Sequence, residues 1–174
     1  MSGARLTEHL QRHACLGLDL RQQAEADGSL LRALFVARRA AEFAAAPWSD
    51  AEREAFLHAQ ADLQGRHYAQ HYPMAHFLII KQAGQAIGRL CMDESETDLR
   101  VVDIALLPEW QGLGIGSAVL NAVLALGDGL GKACTLSVDL TNPAQTLYRR
   151  LGFEVCADQG LYLQMRRQPA AIHP

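Results

Sequence analysis

The chain has 174 residues, 49% of them hydrophobic, and a formal net charge of −3 at pH 7. That is material for one domain with an ample core. The slight acidic excess argues against a general affinity for nucleic acid or an anionic membrane. No apolar run approaches the length of a membrane span, and the polar N-terminus lacks a signal-peptide pattern. Cys15, Cys91, Cys134 and Cys156 are scattered, form no C-x-x-C pair and mostly sit in apolar strand-like runs, which fits reduced thiols and a cytoplasmic home.

Residues 1–14 are polar and read as a flexible arm. Residues 15–20 alternate as a first strand, and residues 24–39 carry a helical stripe of Leu30, Leu31, Leu34 and Phe35. The stretch from Arg38 to Trp48 has no clear period, and Pro47 breaks whatever runs into it. Ser49-Asp50-Ala51-Glu52 is a capping box that opens a second helix, with Phe56, Ala59 and Leu63 on one face, which Tyr72-Pro73 ends. Two strands, 77–81 and 86–92, flank Ala83-Gly84-Gln85, a short hairpin connection. An acidic loop covers 93–98.

The chain is organised around what comes next. Residues 99–107 are apolar apart from Arg100 and Asp103, and Pro108 stops the run. Gln111-Gly112-Leu113-Gly114-Ile115-Gly116 follows, and from Ser117 onward Val119, Leu120, Val123, Leu124, Leu126 and Leu130 recur at helical spacing. Three glycines therefore sit where a strand turns into a helix. A helix start has unpaired N–H groups and a partial positive charge, and glycine lets an anion approach the backbone closely. The stretch reads as a phosphate cradle. It is neither a dinucleotide G-x-G-x-x-G fingerprint nor a P-loop, because neither the third glycine nor Gly-Lys-Ser/Thr falls in place.

A fifth strand at 132–139 places Cys134, Leu136 and Val138 on one face. Asn142 then caps a last helix with Pro143 in its first turn and Gly152 at its end; Ala144, Leu147, Tyr148 and Leu151 form the inner stripe. Residues 153–156 and 161–166 make a final pair of strands, and 168–174 read as a flexible tail. Strands clustered between helices predict an α/β sandwich, a mixed, twisted sheet of about seven strands covered on both faces.

Two motifs carry a resemblance. Gln111, Gly114 and Gly116, after Ile104-Ala105-Leu106, fit the Gln/Arg-x-x-Gly-x-Gly/Ala pattern of coenzyme A binding, and Asn142-Pro143-Ala144 through Leu147-Tyr148 to Leu151-Gly152-Phe153 follows in the right order. In both, residues 15–167 resemble the GNAT superfamily of N-acetyltransferases. The resemblance implies that strands four and five splay apart to admit the pantetheine arm. It implies acetyl-CoA as co-substrate, with no metal, contacted by Ile104, Ala105, Leu106, Gln111, Gly112, Leu113, Gly114, Ile115, Gly116, Ser117, Asn142 and Tyr148. The expected reaction is direct attack of a primary amine on the thioester in a ternary complex; a coenzyme A-binding regulatory or scaffolding module without turnover is the alternative.

The chemistry sets three demands: the amine must lose a proton, the carbonyl oxygen must hold charge, and the thiolate must be protonated. An amine of pKa near 10 is ~99.9% charged at pH 7, a penalty of about 4 kcal/mol. Asp103, the acid that interrupts the apolar run of residues 99–107, is the candidate on the amine side; the plainer reading is a strand aspartate that reaches solvent or a helix cap. Some relatives use a glutamate on strand five, where this chain has Ser137. The resemblance gives the oxyanion to a strand-four N–H, at Leu106 or its neighbour, and the leaving thiolate to the phenol of Tyr148; the alternative for Tyr148 is a core tyrosine. Asn142 lies six residues before the tyrosine rather than the family's seven, so coenzyme contact and simple helix cap both stand. Glu42, Trp48 and Tyr162 are candidate walls of an acceptor pocket. The acceptor is a small-molecule or protein amine, no nucleic acid or membrane partner is expected, and the resemblance leaves room for a homodimer. Two His pairs, His9 with His13 and His67 with His71, lack a third ligand nearby and read as solvated helix faces.

Overall fold

The computed structural model describes residues 3–13 and 16–170. Five α-helices and seven strands follow one another along the described residues: α1 (Gly3–His13), β1 (Leu18–Gln22), α2 (Gly28–Arg39), α3 (Asp50–His71), β2 (His76–Gln82), β3 (Gln85–Glu94), β4 (Asp98–Leu106), α4 (Ile115–Leu130), β5 (Ala133–Asp139), α5 (Gln145–Arg150), β6 (Glu154–Asp158) and β7 (Tyr162–Arg167). The strands form one sheet in the order β1-β2-β3-β4-β5-β7-β6. Every neighbouring pair is antiparallel except β4 and β5. This is the mixed, helix-covered sheet that the sequence predicts.

One face carries the main core. Leu78 and Ile80 of β2, Leu90 and Met92 of β3, Leu99 and Val101 of β4 and Leu136 and Val138 of β5 pack beneath Val119, Leu120, Val123 and Leu126 of α4. Helix α4 is apolar almost all round because α1 covers its outer side. Here the structure departs from the sequence reading of residues 1–14 as an arm. Leu6 and Leu10, four residues apart on α1, are buried in this same core. The sparse apolar content of that segment falls on one stripe, and the stripe is what docks. Cys15 and residues 171–174 lie outside the described residues.

The opposite face is covered by α2 and α3, which pack on each other over Leu34, Leu57, Ile79 and Cys91. The Ser49 cap of α3 is a complete capping box: its hydroxyl accepts the Glu52 N–H, and Glu52 accepts the Ser49 N–H at 2.8 Å. Between α2 and α3, residues 40–43 form a 3-10 turn, and Phe43, Trp48 and Phe56 gather into one aromatic cluster. The acidic loop is shorter than expected. Strand β3 runs on to Glu94, which pairs with Leu99 across the hairpin and accepts from Lys132 Nζ at 2.7 Å.

Candidate active site

Strands β4 and β5 pair only from Asp98/Ala133 to Val101/Leu136, and then separate. The rest of β4, through Leu106, keeps β3 as its neighbour on one edge and has no strand on the other. Strand residues alternate their backbone direction. Leu107 N–H donates to Ile87 O of β3 at 2.9 Å, so Ile104 and Leu106 present their N–H and C=O groups to the open edge. Leu106 O takes a hydrogen bond from Gln111 Nε2 at 2.9 Å, which ties the following loop back across the opening. On the far wall, β5 continues through Ser137 to Asp139, held by β7.

At the mouth of this cleft α4 begins. Gly112 and Gly114 have φ of 71° and 80°, the left-handed region that glycine enters freely, and Gly114 caps the helix. The turn delivers the first N–H groups of α4, from Ile115 to Ser117, with no acceptor in their own helix. Gly116 has ordinary helical backbone, and a Cβ built on it would meet nothing within 4 Å. Neither backbone strain nor packing therefore asks for glycine at 116; a group approaching from outside would. By contrast, Gly127 on the same helix is required by packing, because a Cβ there would strike Cys134 Sγ at 2.7 Å. Bare N–H groups, a helix dipole and open space suit a diphosphate, and the unpaired β4 edge suits an arm that carries amides.

Tyr148 projects from α5 into the core, its ring edge-on to Phe153 at 6.0 Å between centroids. The residue is largely buried; its hydroxyl makes no hydrogen bond among the described residues and is not one of their buried unpaired atoms, so the oxygen itself reaches open space. Burial raises its pKa, the Asp103 charge adds to this, and Arg38 opposes it. These are also the groups at β4. Asn142, exposed ahead of α5, accepts the Ala144 N–H on Oδ1 at 2.9 Å, so the structure places it as a cap of the turn entering the helix.

Asp103 differs most from its sequence reading. It reaches neither solvent nor a helix cap, but is buried with a guanidinium on each oxygen: Arg38 Nη1 donates to Oδ1 at 3.0 Å, and Arg89 donates to Oδ2 through Nε at 3.0 Å and through Nη2. Burial alone would raise the carboxyl pKa. The charges of Arg89 and Arg38 outweigh it and hold the group below the ordinary carboxylate range. A carboxylate so stabilised is a poor proton acceptor. Arg89 also donates to Gln64 Oε1 at 3.2 Å and lies over the Tyr68 ring at 5.5 Å, so the cluster joins α2 and α3 to the sheet. Burial pushes the Tyr68 hydroxyl up to about 12.

The sequence reading did not single out Arg38, Arg89, Gln64 or Tyr68. A signal existed for one of them: Arg89 is the lone charge in the run from Ile87 to Met92. The other three depend on where α2 and α3 land. Each expected acceptor wall has a local setting of its own. Glu42 is ion-paired with Arg39 at 2.8 Å, Trp48 stacks on Phe43, and Tyr162 sits half-exposed on β7 opposite Asp139. Ser137 accepts from Arg100 Nη2 at 2.9 Å. The His67 and His71 rings stack at 3.9 Å, and the His13 side chain lies outside the described residues.

Comparison with known proteins places this geometry. Residues 73–155 match the profile of the acetyltransferase (GNAT) domain. A candidate ribosomal protein bS18-alanine N-acetyltransferase of Bacillus subtilis (strain 168) is 29% identical over 84 residues, 47% of this chain and 56% of that protein, so the match spans little more than half of the relative's length. Among solved structures, the PaiA N-acetyltransferase of Thermoplasma acidophilum in complex with coenzyme A superposes with a TM-score of 0.64 at 18% identity, covering 88% of this chain and 99% of that one. A Corynebacterium glutamicum structure described as histone acetyltransferase HPA2 and related acetyltransferase gives 0.63 at 21% identity, covering 91% and 100%.

Proposed function

We propose that the chain is a GNAT-superfamily N-acetyltransferase that moves an acetyl group from acetyl-CoA to an amine by direct attack in a ternary complex. The observation that carries this reading is the open edge of β4: Leu106 N–H faces a cleft that has the glycine turn of α4 at its mouth and the partnerless Tyr148 hydroxyl nearby.

Each residue then has a task. The N–H groups of Ile115 to Ser117 and the dipole of α4 bind the diphosphate, the open-edge backbone of Ile104 and Leu106 lies along the pantetheine arm, and Gln111 keeps the loop in register with β4. The bound thioester supplies the activated acetyl group. Leu106 N–H is aimed where carbonyl charge develops, and one such donor is worth roughly 3 kcal/mol. The Tyr148 hydroxyl is free to give its proton to the departing sulfur, whose thiol pKa near 8.5 asks for modest help. Asp103 holds Arg38 and Arg89 rather than accepting the amine's proton, so the amine enters neutral or gives its proton to water.

The relative from B. subtilis is named for an alanine amine on a ribosomal protein, which keeps a protein amine among the acceptors alongside small molecules. Release of free thiol from acetyl-CoA across a panel of amines tests the proposal. Thiol that appears only with an acceptor supports transfer. Tight cofactor binding with no thiol for any amine points instead to a coenzyme A-binding regulatory module.

A further inference from the structure

We infer that Arg38 receives a carboxylate carried by the acceptor, so that the acetylated amine belongs to an amino acid or a similar molecule bearing both groups. This rests on the transferase reading. Three charged side chains meet behind the open edge of β4: Asp103 contributes −1 and Arg38 and Arg89 contribute +1 each, leaving a surplus of +1. The two arginines are not equivalent. Arg89 is 8% exposed and spends Nε and Nη2 on Asp103 and Nη2 again on Gln64. Arg38 is 43% exposed.

A guanidinium has five N–H donors. Arg38 uses one on Asp103 and a second, at 3.4 Å, on Ile104 O, so three remain without a partner among the described residues. That second contact fixes where the surplus charge sits. Ile104 O lies on the cleft edge of β4, two residues from the N–H assigned to the oxyanion.

The acceptor chemistry follows from this charge. A simple alkyl ammonium would meet net repulsion here, and the acids that might have attracted it are engaged: Asp103 by two arginines, Glu42 by Arg39. A single carboxylate matches both the fork of free donors and the surplus of one charge; a dianionic phosphate would overfill it. Held by its carboxylate, an amino acid brings its amine up to the thioester beside a positive charge that favours the neutral, nucleophilic form.

The test compares sets of three acceptors: an amino acid, its carboxamide and the decarboxylated amine, with α, β and γ spacing of the two groups. The acid of at least one set should exceed its partners by tenfold or more in kcat/KM, chiefly through KM. R38Q should remove that preference by raising the acid's KM relative to the carboxamide's, and R38K should restore part of it. Titration of the same acid into protein saturated with coenzyme A should give heat that the carboxamide and R38Q do not give. Equal use of acid and carboxamide, or a preference that survives in R38Q, overturns the inference and leaves the transferase reading standing. Arg38-dependent binding of the acid with no thiol release from any amine overturns the transferase reading, and with it the acceptor role, and leaves only a carboxylate site at Arg38.

Discussion

Arg89 and Asp103 meet through a single carboxylate oxygen: both Nε and Nη2 of the arginine point at Oδ2, and Oδ1 is left to Arg38. The aspartate thus links the sheet to α2 directly and, through Arg89 and its contacts with Gln64 and Tyr68, to α3. Removing one partner of such a buried pair is much worse than replacing both, because the remaining charge is stranded. Asp103→Asn should cost about 3–5 kcal/mol in denaturant unfolding. The double change Asp103→Leu with Arg89→Met should cost clearly less. A small loss for Asp103→Asn would show that the carboxylate is not what holds the helices down.

The same pairing sets a pH dependence. The folded pKa of Asp103 lies below its unfolded value, so its contribution is complete above the unfolded pKa of about 3.9 and is lost as pH falls through the folded one. Asp27, through its hydrogen bonds from Arg21, and Asp128, through those from Arg167, act in the same direction. Unfolding free energy followed from neutral pH downward should therefore fall below about pH 4, with a shallower slope in Asp103→Asn. A slope that does not change would remove Asp103 from the acid response.

Tyr148→Phe deletes one hydroxyl that makes no hydrogen bond among the described residues, so the fold should hardly notice. Turnover should fall tenfold or more, with acetyl-CoA affinity nearly unchanged. Steady-state kinetics together with calorimetric titration of acetyl-CoA separates the two quantities, and unchanged turnover would return Tyr148 to the core.

Gly114 and Gly116 should respond differently to alanine. At Gly114 a side chain must adopt φ near 80°, a strain of about 1–2 kcal/mol that shows in stability. Gly116 has helical backbone and open space, so Gly116→Ala should keep or slightly improve stability while coenzyme A affinity drops about tenfold, or ~1.4 kcal/mol. Unchanged affinity would move the diphosphate away from this helix end.

Leu10 of α1 is completely buried. Leu10→Ala should therefore cost about 2–5 kcal/mol, whereas a loosely attached arm would lose almost nothing. Equilibrium unfolding of the full chain decides between them.

How much of this was legible beforehand follows the range of the forces involved. The glycine turn between β4 and α4, the Ser49 cap, the hairpin at Gly84 and the stripe that puts Tyr148 inward all depend on residues within a turn or two of each other. Their signals therefore lie side by side in the chain, and the fold class and the bare helix start at α4 could be read from them. Asp103 was visible as an anomaly in an apolar run, but its meaning was not. Its partners stand 14 and 65 residues away, and Coulomb attraction acts through space rather than along the sequence. The departure of β5 from β4 beyond Val101, the docking of α1 on α4 and the unpaired Tyr148 hydroxyl likewise arise only when distant surfaces meet. Local periodicity thus determined the elements and the glycine-bounded start of α4, whereas tertiary packing alone decided the charge beside the open edge of β4, since that depends on how many guanidinium groups converge on one buried carboxylate.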